Sequence, residues 1–354
     1  MSAPESAIRV SYDDLSAFIE RSFEACGMSQ EHARTMGELM ARADLGGQDG
    51  HGVVRLPNYI KRIRAGGMEA NPTIRTIRER AATALIDGGN GPGHLVMSHA
   101  ADLAMEKAMT TGVAWVGARR SNHAGPAFLY AMMPLKRDMI GLYVAVGSAN
   151  HMPPWGGTAM LLSTNPIAVA VPSSEEVPVV VDMATTVAAY GKVKSYLDRG
   201  EMMPEGWMID PQGRPLTDPA KASEGFLLPI GGPKGYGLAL IFGLLAGTLN
   251  GAAFGKDVID FNKDATSVTN TGHFIVALHI EAFADVDAFK KDVDEIWKQM
   301  KGSARLPGVD AIRIPGERLA KTQASYLVQG IPISAPVLKR VNTLATDLGV
   351  TPLT

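Results

Sequence analysis

The sequence predicts an α/β protein whose central sheet is flanked by helices from both ends of the chain. Three observations carry this. Short apolar runs at residues 113–117, 140–146, 167–171 and 177–181 read as buried strands. Stretches with helical spacing of apolar residues precede and follow them. Hydrophobic residues make up 46% of the 354, enough to fill sizeable cores, and the length suits about two domains.

Taken in order, residues 11–25 form an amphipathic helix. Leu15, Phe18, Ile19 and Phe23 share one face, and Ser11 with Asp14 resembles a capping box. A second helix over 29–44 starts on a possible N-cap, Ser29. A turn-rich segment, 46–52, leads to a helix over 58–64. Residues 95–110 are helical, and the buried strands follow. Between them lie Gly-, Pro- and Asn-rich loops at 147–157 and 163–166, the kind of place where α/β proteins put their chemistry. Residues 201–229 read as a long ordered connection. The most apolar stretch, 237–249, reads as a buried helix that begins near Lys234. Residues 273–283 alternate strictly and predict a strand. Phe289, Val293, Ile296, Trp297 and Met300 line a helix face. A last helix starts near Ser334, with Pro336 in its first turn.

A net charge of -2 gives no electrostatic case for nucleic acid or an anionic membrane. Cys26 is the single cysteine, so the chain has no internal disulfide framework and no thiolate metal cluster. No stretch reaches the roughly 20 apolar residues of a spanning helix, and residues 1–13 lack the pattern of a secretion signal. The expected location is the cytoplasm.

Generic motifs are absent. There is no G-x-G-x-x-G, no phosphate-binding G-x-x-x-x-G-K, no H-E-x-x-H and no G-x-S-x-G. The run Gly88-Gly89-Asn90-Gly91-Pro92-Gly93 has the wrong spacing, and the residues around it do not read as strand–turn–helix. What remains is a set of single candidates. His51 lies four residues before Arg55, a spacing that shares one helix face. Imidazole and guanidinium together suit a carboxylate substrate; a backbone-bonding His with a surface Arg is the plainer reading. His123, in the small-residue loop Ser121-Asn122-His123-Ala124-Gly125, is a general acid/base or an ordinary loop histidine. Asp182 ends an apolar run. It orients an imidazole, binds a ribose hydroxyl, or caps the next segment. Lys234, at the start of the apolar helix, suits a phosphate or is simply solvated. The other histidines show no metal-ligand spacing, and no metal is expected.

Several blocks, in this order and spacing, resemble the type-2 malate/L-lactate dehydrogenase family. That family also holds ureidoglycolate and sulfolactate dehydrogenases and Δ1-piperideine-2-carboxylate reductases. The blocks include residues 43–59 around Asp49-Gly50-His51-Gly52, Ser121-Asn122-His123-Ala124-Gly125, Pro154-Trp155-Gly156-Gly157, Ser163-Thr164-Asn165-Pro166, residues 181–186, Tyr190-Gly191-Lys192, Pro204-Glu205-Gly206-Trp207 and residues 231–237. The resemblance covers residues 11–318. It implies a non-Rossmann NAD(P)-binding fold with a large mixed sheet, and a homodimer.

It also implies roles. His123 or His51 is the acid/base, Asp182 supports it, and Arg55 binds the substrate carboxylate. Ser148, Asp182, Met183, Ala184, Lys234, Gly316, Glu317 and Arg318 match cofactor contacts. Where relatives commonly read Ser-His-Gly, this chain has Gly50. The implied activity is hydride transfer between NAD or NADP and a small 2-oxo or 2-hydroxy acid of malate or lactate type. The alternatives are reduction of a cyclic imino acid, or cofactor binding without turnover. The expected organisation is a helical domain from residues 1–75 and 285–354 around a catalytic α/β domain of 76–284.

Overall fold

The computed structural model describes residues 8–354. Its central sheet has seven strands: β1 (Arg75–Glu79), β2 (Thr83–Gly91), β3 (Val113–Ser121), β4 (Met139–Ala145), β5 (Ile167–Val171), β6 (Val179–Met183) and β7 (Thr271–His279). They lie in the order β1-β2-β3-β7-β4-β5-β6. Only β2 and β3 run parallel; every other neighbouring pair is antiparallel. A doubly wound dinucleotide fold is built from parallel strands, so this sheet is mixed and non-Rossmann.

The longer helices are α1 (Tyr12–Glu24), α2 (Gln30–Leu45), α3 (Leu56–Arg64), α4 (Gly93–Thr111), α5 (Tyr190–Arg199), α6 (Pro233–Ala246), α7 (Val286–Gly302), α8 (Glu317–Gln329) and α9 (Ala335–Leu348). The Ser11 and Ser29 side chains accept from the N–H groups of Asp14 and His32 and so cap α1 and α2. Leu15, Phe18, Ile19 and Phe23 of α1 are fully buried. They share a core with Tyr59 of α3 and with Ile331 and Val341 from the far end of the chain. Ile8–Val10 pairs with Ile331–Ile333 and ties the two ends together.

A second core lies under one face of the sheet. There the small side chains Ala100, Ala101, Ala104 and Ala108 of α4 let the helix approach Val116, Ile275 and Ala277 closely. On the opposite face, Ala246 of α6 packs with Val144 and Phe274, and Trp115 stacks on Phe274 at 4.0 Å. β7 is therefore covered on both sides, as its central place requires. α7 docks elsewhere. Its Lys290 pairs with Asp138, and its Asp294 accepts from the N–H groups of Ser174, Glu175 and Glu176.

Two expectations need correction. The glycine-rich run at 88–93 does sit in a strand–turn–helix, between β2 and α4. The exposed polar partner strand β1 gives no apolar signal to mark it. The helix expected to be buried, α6, is apolar all round, yet Leu238, Ile241 and Leu244 are 37%, 51% and 37% exposed. Only one side of it meets the sheet. Among the described residues, no helix is long and apolar enough to cross a membrane.

Candidate active site

His51 and His123, read as rivals from the sequence, touch. His51 Nδ1 lies 3.3 Å from His123 Nε2, and the rings are nearly parallel. On its other side, His123 Nδ1 lies 2.6 Å from the Tyr59 hydroxyl, which also reaches the His123 carbonyl at 3.1 Å. The Gly125 N–H also donates to His123 Nδ1, at 3.4 Å, so that nitrogen accepts. Tyr59 therefore donates to His123, and His123 Nε2 donates to His51 Nδ1, in one continuous row.

The local sequence explains the placement. β3 runs on through Ser121, beyond the apolar run that predicted it, and delivers Asn122 and His123 to the sheet's end. The Asn122 amide donates to the carbonyls of Asn90 and Gly91. The Gly93 N–H donates to the His123 carbonyl at 3.2 Å. A side chain at Gly93 would lie 2.3 Å from the Asn122 carbonyl oxygen, so only glycine allows this approach. The glycine-rich turn is thus the backing of the His123 loop. His51 follows a turn closed by its N–H donating to Gln48 O, and the buried Asp44 carboxylate accepts from the Val53 N–H at 2.7 Å.

Burial sets the charge of this corner. Desolvation holds His51 down at about 4, helped by the Arg55 guanidinium. Desolvation likewise holds His123 well below its ordinary value, with His51 the next cause. Two further histidines back the pair. His94, fully buried, meets the Tyr59 ring edge-on at 5.6 Å, and neither ring nitrogen has a hydrogen-bond partner among the described residues. His273 joins Tyr143 at 2.8 Å and the Asn122 carbonyl at 3.2 Å. Burial depresses both, to about 3 and about 4. The imidazoles are neutral at pH 7. Among the described residues, no group of three ligand-type side chains is arranged for a metal.

Arg55 lies on the same helical face as Tyr59, four residues on. Its Nε donates to Gly50 O and its Nη1 to Asn262 Oδ1, both at 2.7 Å. The Nη2 pair and one Nη1 hydrogen are left for an anion.

The expected cofactor residues fall in several places. Asp182, Gly316 and Arg318 line one cleft of about 360 Å³, together with Gln48, Phe128, Val180 and Arg313. Asp182 accepts from the Phe128 N–H at 3.0 Å, and burial raises its carboxyl to about 6. Gly316 has φ +101° and packs where a side chain would meet Pro178 O at 2.6 Å. Glycine there lets the turn pack against the backbone of Pro178 and Val180, and the cleft beside it presents a carboxyl of the kind that suits a ribose hydroxyl. Gln48 and Phe128 tie this cleft to the loops of His51 and His123. Met183 and Ala184 follow Asp182, with Met183 exposed. Ser148 lies apart from the cleft, its carbonyl accepting from the Phe261 N–H. Lys234 is exposed at the start of α6. Glu317 turns inward to Lys301 and the Ile314 N–H.

Sequence reasoning missed Tyr59, His94, Asn262 and His273. Tyr59 had a signal, its i+4 spacing from Arg55. Asn262 had none, because 207 residues separate it from Arg55.

Comparison with known proteins places the chain in a family. The model of a family described as malate/L-lactate dehydrogenase matches residues 10–342. The chain is 38% identical to a malate dehydrogenase of Pyrococcus horikoshii, over 98% of this chain and 97% of that one. It is 35% identical to a malate/(S)-sulfolactate dehydrogenase of Methanothermus fervidus, over 96% and 98%. The solved sulfolactate dehydrogenase of Methanocaldococcus jannaschii superposes with a TM-score of 0.91 at 34% identity, covering 97% of this chain and 98% of its own.

Proposed function

This chain belongs to the malate/L-lactate dehydrogenase family, and on that premise we propose that it transfers a hydride between NAD or NADP and a small 2-oxo or 2-hydroxy acid. The observation that carries the reading is the row His51–His123–Tyr59 beside the open N–H groups of Arg55. Arg55 holds the substrate carboxylate. A nicotinamide held beside Asp182 and the Gly316–Arg318 turn would supply the hydride for C2 in reduction and accept it in oxidation. The histidine pair supplies the proton at the C2 oxygen or removes it, and Tyr59 closes the far end of the row. Neutral imidazoles suit the base needed for oxidation. For reduction, the pair must take up a proton.

Arg55 is flanked by His51 and Tyr59, so the carboxylate and the reacting oxygen sit within one small corner. Asp182 and the Gly316–Arg318 turn hold the cofactor. A lone Cys26 suits the reducing cytoplasm. The apolar outer face of α6 suits burial against a second copy, as in a homodimer.

The test is a side-by-side assay of pyruvate, oxaloacetate and Δ1-piperideine-2-carboxylate with NADH and NADPH. Turnover of a 2-oxo acid supports the proposal. Turnover of the imine alone replaces it with imino-acid reduction. Cofactor binding with no turnover in any arm points to a binding protein.

A further inference from the structure

Asn262 stands where the open side of Arg55 meets solvent. Its Oδ1 accepts from Arg55 Nη1 at 2.7 Å and from Asn58 Nδ2 at 3.2 Å. A guanidinium only donates, so the atom facing Arg55 is the amide oxygen. The amide NH2 therefore points away from both donors. It has no partner among the described residues, and the side chain is exposed.

The segment that presents this amide is firmly held. Phe261, the preceding residue, is buried, with its ring 5.3 Å from Tyr59 and 5.5 Å from His123. The Asn262 N–H donates to Asp260 Oδ1 at 2.9 Å. Arg62, 1% exposed, sits 4.9 Å from the Phe261 ring. It donates to the carbonyls of Gly67, Asp264 and Ser267 and so pins the loop from within. One loop thus fixes Phe261 against the proton-handling residues and Asn262 against Arg55.

We propose that Asn262 is a substrate-binding residue whose free amide N–H donates to the carboxylate held by Arg55. The inference rests on the assignment of Arg55 as the carboxylate partner. The amide oxygen aligns the guanidinium, and the amide nitrogen adds a donor beside it. Together they fix the rotation of the carboxylate as well as its position.

Asn262→Ala and Asn262→Asp together separate this role from a purely structural one. Aspartate keeps the shape and the acceptor for Arg55 and Asn58 but replaces the donor with an anionic oxygen. Aspartate also pairs with Arg55 and repels any anion, whereas alanine removes the donor without adding charge.

The experiment measures binding of oxalate, a non-reacting planar mimic of a 2-oxo acid, by calorimetry with saturating nicotinamide cofactor. Wild type, N262A, N262D and R55M are compared, with melting temperatures alongside. N262A should weaken oxalate about tenfold, as loss of a hydrogen bond to a charged group does, and N262D by more, with its melting temperature held. N262A that binds oxalate as tightly as wild type overturns the proposal, and N262D shows whether the loop keeps its stability. If R55M loses oxalate while N262A keeps it, Asn262 alone is excluded. If R55M binds oxalate like wild type, the Arg55 assignment falls first.

Discussion

The corner proposed to handle the proton and the cleft proposed to hold the cofactor are made differently. The corner is cross-braced over long sequence distances: residue 51 on 123, 59 on 123, 55 on 262. Its side chains are largely withdrawn from water, and their orientation is set before any ligand arrives. The cleft is a strand edge facing the turn before α8. Arg318 there is exposed and forms no ion pair among the described residues, and the neighbouring Met183 is 37% exposed. Chemistry that depends on angle is placed where packing is dense. In the proposed assignment, recognition of a large, flexible cofactor is left to an open surface. Substitutions in the corner should therefore cost far more than those in the cleft.

The largest effect expected is from His123→Ala, a loss of about 10²–10⁴ in kcat with cofactor affinity retained. His51→Ala should act alike, and the double variant should be little worse than either, because the two rings form one row. Fully additive losses in steady-state kinetics would break that row into two independent groups.

Next comes Arg55→Lys, which should raise KM by about 10- to 100-fold with a smaller change in kcat, since a point charge cannot replace the planar fork. An unchanged KM moves the carboxylate elsewhere.

The third expectation concerns pH. His51, His273 and His94 are held at about 4, about 4 and about 3 in the fold, against 6.5 when unfolded. Between pH 6.5 and 4 the unfolded chain binds more protons, so these groups' contribution is whole above 6.5 and is lost as pH falls. Asp182, raised from 3.8 to about 6, has the opposite sign: its contribution is whole below 3.8 and is lost as pH rises through 6. Asp44, raised to about 8, acts in the same sense as Asp182, while His151, held at about 4, joins the histidines. Four histidines outweigh two carboxyls, so the melting temperature should drop from pH 7 to pH 5. His94→Leu should flatten that slope; an equal slope would mean His94 takes up no part of it. In kinetics, kcat/KM for oxidation should reach its plateau by pH 6.5, and that for reduction should fall with rising pH.

In the cleft, Arg318→Ala should weaken NADPH by about tenfold and leave NADH nearly unchanged, the loss of one contact to a 2′-phosphate. Equal affinities before and after would remove Arg318 from cofactor choice. Smallest of all is Gly50→Ser. Nothing lies within 4 Å of a side chain built there, so stability should change by no more than about 0.5 kcal/mol. A gain in cyclic-imine turnover in this variant would show that the serine usual in relatives sharpens that activity.

Local signals are legible in the sequence. The caps at Ser11 and Ser29 and the apolar stripe of α1 announce their helices because each depends on residues three or four apart. β1 and β2 escaped because β1 faces water along its length and β2 ends in glycines. The exposure of α6 escaped because a helix apolar all round gives no clue to which side stays uncovered. Within the site, the family blocks led to His51, His123 and Arg55. Their contact with one another, and with Asn262 and the second pair of histidines, is a property of tertiary packing that no local pattern carries.

The position of β7 has a consequence for synthesis. It is the last strand of the sheet to be made, yet it lies between β3 and β4. Until residue 279 has left the ribosome, β3 and β4 each present an unpaired edge, and the cores on both faces lack Phe274 and Ile275. Such edges are templates for mispairing. Both pairings of β7 must wait for it, so slow translation between residues 145 and 279 should lengthen the interval in which the nascent chain is prone to aggregate.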